Sequence, residues 1–373
     1  MALFKGRGAH VSKAGADLHD RVRSFIDRIG IQTPILLAPM AGACPPSLSI
    51  AVMRGGGMGS CGTLLMAPDA ISDWAETVRS EAGDAFQMNI WIPGRPPQRD
   101  GQAEAAVRRF LANWGPEVPA DAGDATPPDF AAQCAAMLDA RPRAISSVMG
   151  LYDADYVAEL KARGILWIAG ATTVEEARAA EAAGADVILA QGMEAGGHRG
   201  SFDPDTAGTR IAGTMSLVPA VVNAVNVPVI AAGGIADGRG VAAALVLGAS
   251  AVAIGTGFLR APEAKLPAPW ASALAATGPD ETRLTRAFSG RLGRTVRTAY
   301  VEAAESPDTP EPAPYPVQRG LTIGMRSQAV KDGNLDGIQA WAGQSAWLAR
   351  DIPAAEIIQD VWAEAQSLLP GSG

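Results

Sequence analysis

The stretch PVIAAGGIADGRGVAAALVLGASAVAIGTGFL, Pro228 to Leu259, decides the fold. An apolar strand runs into Gly233-Gly234, and a helix starts at Asp237 and breaks at Gly248-Ala249-Ser250. A second strand then ends in Gly255-Thr256-Gly257. Strand, turn, Ala-rich helix and strand make one unit of a parallel α/β sheet. Small residues at both strand ends let backbone N–H groups approach a ligand closely. Barrels bind phosphate between the loops after strands seven and eight, at a helix N-terminus. Glycines that only turn the chain would read the same way; two Gly-rich ends on successive strands favour phosphate.

Working outward, LWIAGATTVEEARAAEAAGADVILAQG (Leu166 to Gly192) echoes the deciding stretch at an offset of roughly 64 residues, as a repeating βα layout predicts. The same alternation predicts eight strands: Ile35–Met40, Met58–Cys61, Ala85–Ile92, Ala144–Met149, Leu166–Ala169, Val187–Gln191, Pro228–Ala232 and Ala251–Thr256. Helical patterns lie between them, from Pro46–Arg54 to Arg239–Leu247. Eight strands with helices between them, over about 225 residues, predict a (β/α)8 TIM barrel.

Two stretches exceed a bare barrel. Residues 93–128 read as an insertion after strand three: a Pro-rich loop, a short helix and an acidic loop. Beyond residue 260 the pattern stops, and Gly337–Arg350 and Ala354–Leu369 read as two outer helices. The expected organisation is an N-terminal extension (1–30), the barrel (31–260) and a C-terminal helical extension packed on it (261–373).

Composition narrows the function. The 373 residues are 48% hydrophobic and carry a net charge of −8, which argues against a broad cationic surface for nucleic acid or anionic lipid. The long uncharged runs are interrupted by Pro219, Asn223 and Pro228, so they read as buried core rather than membrane spans. The N-terminus shows no apolar segment of a secretory signal. Three cysteines cannot build a disulfide framework, which suggests a reducing, cytoplasmic setting. No Cys/His cluster has zinc spacing, so no metal is expected.

Three further segments carry polar groups where a barrel builds its site. VILAQGMEAGGHRGSFD (Val187 to Asp203) delivers Gln191 at a strand end, and its Gly-rich loop carries His198. A neutral imidazole there can take a proton or donate to a developing anion. FQMNIWIPG (Phe86 to Gly94) puts Gln87 and Asn89 on one strand face, where each needs a partner. The run Gly57–Gly62 satisfies G-x-G-x-x-G, but a helical pattern precedes it and an apolar run contains it, the wrong context for a dinucleotide turn.

Together, LLAPMAG, FQMNIWIPG, ILAQGMEAGGHRGSF, the deciding stretch, FSGRLGRT and WAGQSA resemble the nitronate monooxygenase family, formerly called 2-nitropropane dioxygenases. The resemblance implies a TIM barrel that holds FMN and oxidises alkyl nitronates, and nitroalkanes, with O2 to a carbonyl compound and nitrite. It implies Ala38, Pro39 and Met40 beside the flavin ring, and Asn89, Gln191 and Gly196 in contact with FMN. Gly233, Gly234, Gly255 and Thr256 would hold the phosphate, and His198 matches the catalytic histidine. Ser289 and Gln344 occupy late motifs that would close the site. The implied partners are a small nitronate and O2, and a homo-oligomer is compatible with all of this. The alternative on the same barrel is an FMN-dependent NAD(P)H:quinone or enoyl-thioester reductase.

Overall fold

The computed structural model describes residues 18–370; residues 1–17 of the expected N-terminal extension lie outside the described residues. Eight parallel strands form the barrel: β1 (Ile35–Leu37), β2 (Gly59–Gly62), β3 (Phe86–Trp91), β4 (Ala144–Val148), β5 (Leu166–Ala171), β6 (Val187–Gln191), β8 (Val229–Ala232) and β9 (Ala251–Ile254). The short β7 (Gly197–His198) lies outside that ring. Neighbouring strands run β2-β3-β4-β5-β6-β8-β9-β1. Met58 N donates to Ile35 O (3.1 Å) and Leu37 N to Met58 O (2.9 Å), which joins β1 to the start of β2.

Helices α2 (Pro46–Arg54), α3 (Pro68–Ala82), α5 (Phe130–Ala140), α6 (Ala154–Ala162), α7 (Val174–Ala182), α8 (Thr214–Val222) and α9 (Gly238–Val246) follow the strands on the outside. The last helix, α14 (Ala354–Leu368), packs against α9 and α2 and so fills the eighth helix position of the ring. Glycines permit that approach: a Cβ on Gly57 would meet Ile358 Cδ1 at 2.5 Å, and one on Gly55 would meet Ala355 Cα at 2.9 Å. The G-x-G-x-x-G run therefore serves close packing; a Cβ on Gly62 would lie 2.6 Å from Ala41 N.

The other end of the barrel is plugged by α1 (Leu18–Ile29), a helix inside the expected N-terminal extension. Its Phe25 and Ile29 are buried with Leu36, Met58, Ile168, Val187 and Ile230, residues on the inner face of the strands. This apolar layer closes the bottom and leaves the carboxyl ends of the strands as the open face.

Over that face sits a cap built from two distant segments. Helix α4 (Gly101–Leu111), between β3 and α5, contributes Val107 and Leu111 to a core shared with Phe288, Tyr300, Val317, Leu321 and Met325. Those partners come from the segment between β9 and α14, which holds α10 (Ala268–Ala276), β10 (Thr282–Thr285), β11 (Gly293–Val296), α11 (Ala299–Ala304), α12 (Val317–Leu321) and α13 (Ile323–Asp332). Strands β10 and β11 pair antiparallel, and β11 adds β7, with Gly293 opposite His198.

One helix expectation is corrected. Gly337–Arg350 is not a helix but an extended strap with short 3-10 turns at Leu335–Gly337 and Ala346–Leu348. Its amides are spent on other elements: Ala342 N on Arg294 O (3.2 Å), Gly343 N on Thr256 Oγ1 (3.0 Å) and Gln344 N on Glu194 O (2.9 Å). A helix would have used them internally.

Candidate active site

A cavity of about 260 Å³ opens where the barrel meets the cap, more room than a trapped water needs. The barrel delivers Ala38, Pro39 and Met40 to it after β1, and Asn89 from β3. Gln191 ends β6, and Gly196 and His198 follow in the next loop. Gly233 and Gly234 come after β8, and Gly255 and Thr256 after β9. Ser289 reaches the same cavity from the cap. Gln344 does not: its strap lies at the rim, and its side chain turns outward to donate to Pro279 O (3.0 Å).

The glycines make a cradle. Gly233 and Gly234 have φ of 109° and 72°, the region that favours glycine. A Cβ on Gly196 would meet Gly343 N at 2.5 Å, and one on Gly255 would meet Met40 Sδ at 3.3 Å. The N-terminus of α9, by contrast, is already satisfied by carboxylates: Asp237 accepts from Gly240 N (3.0 Å) and Glu364 from Gly238 N (2.8 Å). The amide-rich surface on offer is therefore the pair of glycine turns rather than the helix start. Asn89 donates to Ser146 Oγ (3.0 Å) and forms no bond through Oδ1 among the described residues, so it faces the cavity with an acceptor.

His198 is held on four sides. Its ring stands edge-on to Trp91 (centroids 4.6 Å apart) and to Trp341 (4.7 Å). Nε2 lies 2.7 Å from Ser289 Oγ. Pairing of β7 with β11 fixes its backbone. Burial, reinforced by the charges of Arg291, Arg319 and Arg326, pushes its pKa down to about 3, so the imidazole is neutral near pH 7.

Two of those arginines, missed in the sequence, line the cavity from α12 and α13. Arg326 is anchored by Thr322 Oγ1 (3.1 Å), Gln339 Oε1 (3.0 Å) and Arg319 O (2.9 Å). The Arg319 guanidinium makes no hydrogen bond or ion pair among the described residues. No carboxylate lines the cavity among the described residues, so its fixed charge is positive. Tyr315, its ring tilted 46° to that of Trp91 at 5.4 Å, completes the wall. No short motif marks these cap residues; only Trp91 and Trp341 fell within segments already singled out.

Fold and site define a (β/α)8-barrel enzyme whose chamber lies at the carboxyl ends of the strands, with a neutral histidine under a cationic cap. The nitronate monooxygenase family profile matches residues 23–364, and the chain belongs to that family of oxidoreductases. It is 38% identical over 352 residues to a nitronate monooxygenase of Paraburkholderia phytofirmans, covering 92% of this chain and 94% of the relative. Among solved structures it is similar to the nitroalkane oxidase from Streptomyces ansochromogenes, at a TM-score of 0.81 and 35% identity over 92% of this chain and 98% of the other. It is also similar to FabK from Thermotoga maritima, at a TM-score of 0.72 and 29% identity over 92% and 96% of the two chains. Among the described residues no helix is long and apolar enough to cross a membrane, and no group of three or more metal-ligating side chains is found.

Proposed function

We propose that this chain binds FMN at the strand ends and oxidises alkyl nitronates with O2 to a carbonyl compound and nitrite. The observation that carries the reading is a neutral histidine in a cavity whose only charged lining residues, among those described, are Arg319 and Arg326. A nitronate is an anion with its charge spread over carbon and the nitro oxygens. The arginines favour its entry and hold it against water, while the neutral imidazole meets it without a fixed ion pair.

The site suits a flavin mononucleotide. The turns at Gly233-Gly234 and Gly255-Thr256 offer close backbone approach for a phosphate, the Ala38–Met40 segment offers an apolar edge, and Asn89 Oδ1 offers an acceptor for a ring N–H. When bound, the flavin supplies the electron-accepting chemistry, and the protein supplies orientation and electrostatics. His198 uses the ring nitrogen that Ser289 leaves free. With its proton there it donates to the nitro oxygens of a nitronate; with a lone pair there it takes the α-proton of a neutral nitroalkane. Trp91 and Trp341 pack edge-on to the imidazole, and Tyr315 packs on Trp91.

A reducing, cytoplasmic setting belongs to the same reading, supported by free, buried Cys44, Cys61 and Cys134. The nicotinamide-dependent reductase is the weaker reading, because the nitronate monooxygenases are 38% identical to this chain and FabK is 29% identical. Nitrite release from ethyl nitronate by the FMN-loaded protein, compared with His198→Asn, tests the proposal. We expect His198→Asn to abolish turnover of neutral nitroethane and to leave part of the nitronate activity. Equal loss on both substrates would remove the proton-abstraction role, and no nitrite from the wild type would overturn the activity itself.

A further inference from the structure

We infer that Gln191 is a positioning residue that locks the backbone of His198, rather than chiefly a contact to the cofactor. The inference rests on the reading above, in which His198 meets the substrate. Gln191 is the last residue of β6, in register with Ala232 of β8, and its backbone belongs to the rigid barrel. His198 sits seven positions later, beyond a loop containing Gly192, Gly196 and Gly197, the last at φ 73°. Such a loop has little stiffness of its own. Something outside it must fix where the imidazole stands.

Pairing with β11 supplies part of this, and the Gln191 amide ties the same residues to the barrel strand β6. Nε2 donates to His198 O (3.1 Å), and Oε1 accepts from Gly200 N (2.7 Å). One planar side chain therefore brackets Arg199, tying the carbonyl before it and the amide after it to the end of β6. The residue between is held as well: Arg199 N donates to Leu292 O (2.9 Å) and its Nη1 to Gln191 O (3.3 Å). Three successive residues are thus fastened either to Gln191 or to the entry of β11. Each polar end of the amide has a partner within the protein, which leaves one Nε2–H and one Oε1 lone pair without one among the described residues. The donor and acceptor requirement is asymmetric. Glutamate could still accept from Gly200 but would set a carboxylate against the His198 carbonyl, and methionine would make neither bond.

The test compares wild type, Gln191→Met and Gln191→Glu as full-length FMN-loaded proteins, with three readouts. These are the histidine ring resonances by NMR against pH (three histidines, His198 assigned with His198→Asn), the FMN dissociation constant, and kcat with ethyl nitronate. We expect the His198 resonance to shift and to begin titrating above pH 5 in both variants. FMN affinity should stay within about threefold, and kcat should fall about tenfold or more, as for a misplaced catalytic group. An unmoved His198 resonance with FMN affinity lost would overturn the inference and make Gln191 a cofactor ligand. An unmoved resonance with unchanged kcat would overturn it outright. A moved resonance with unchanged kcat would uphold the positioning role and instead remove His198 from the reaction, so failure of the two readings is distinguishable.

Discussion

Ser289 Oγ lies 2.7 Å from His198 Nε2 and 3.3 Å from Arg291 O, so a single hydroxyl proton has two acceptors. Turned toward the imidazole, the hydroxyl leaves the His198 proton on the other nitrogen, the form that donates to a nitronate. Turned toward Arg291, it accepts from Nε2 and leaves the other nitrogen as a base. One rotor thus sets which tautomer faces the substrate. Ser289→Ala should lower kcat about three- to tenfold, the worth of one hydrogen bond, with KM changed less. Steady-state kinetics with ethyl nitronate check this. A KM effect larger than the kcat effect would place Ser289 in substrate binding instead.

The depressed pKa of His198 fixes the sign of two pH effects. Its ordinary value is 6.5 and its folded value about 3, so between those pH values the unfolded chain binds a proton that the folded chain does not. Stability should therefore fall as pH drops through 6.5 and level off near 3 as far as this residue is concerned. His198→Asn should flatten the acid limb of Tm against pH. In activity, nitronate turnover should show no limb of His198 origin between pH 5 and 8. An acid limb in kcat/KM near 6.5 that vanishes in His198→Asn would contradict a neutral, desolvated imidazole.

Among the described residues Arg319 is the cavity cation without a protein partner, which makes it the group available to an anionic substrate. Arg319→Ala should raise KM for ethyl nitronate about tenfold with a smaller change in kcat, and should flatten the salt dependence of kcat/KM. Kinetics at several ionic strengths decide the point. An unchanged KM and salt slope would show that the cap arginines serve the cap alone.

Much of this architecture was legible from residues. The barrel strands are apolar runs ending in small residues, so Val229–Ala232 and Ala251–Ile254 stand out with their glycine turns. The same logic put His198 at a strand end. What was not legible depends on distant partners. Helix α1 reads as a polar segment, and only the barrel floor shows why Phe25 and Ile29 are buried. The hairpin strand β10 is TRLT, with no apolar run to announce it, and it forms because β11 and then β7 pair beside it. The strap at Gly337–Arg350 reads as a helix in the sequence, yet its amides are claimed by Thr256, Glu194 and Arg294. Arg319 and Arg326 reach the cavity only because α4 and α12–α13 share one core.

Anaerobic mixing of the FMN-loaded protein with ethyl nitronate, followed by air, tests the central claim most directly. The account predicts that the oxidised-flavin absorbance bleaches on mixing and returns with oxygen, with nitrite formed in step with nitronate consumed. Flavin absorbance indifferent to nitronate but bleached by NADH would contradict it and assign the barrel to a nicotinamide-dependent reductase.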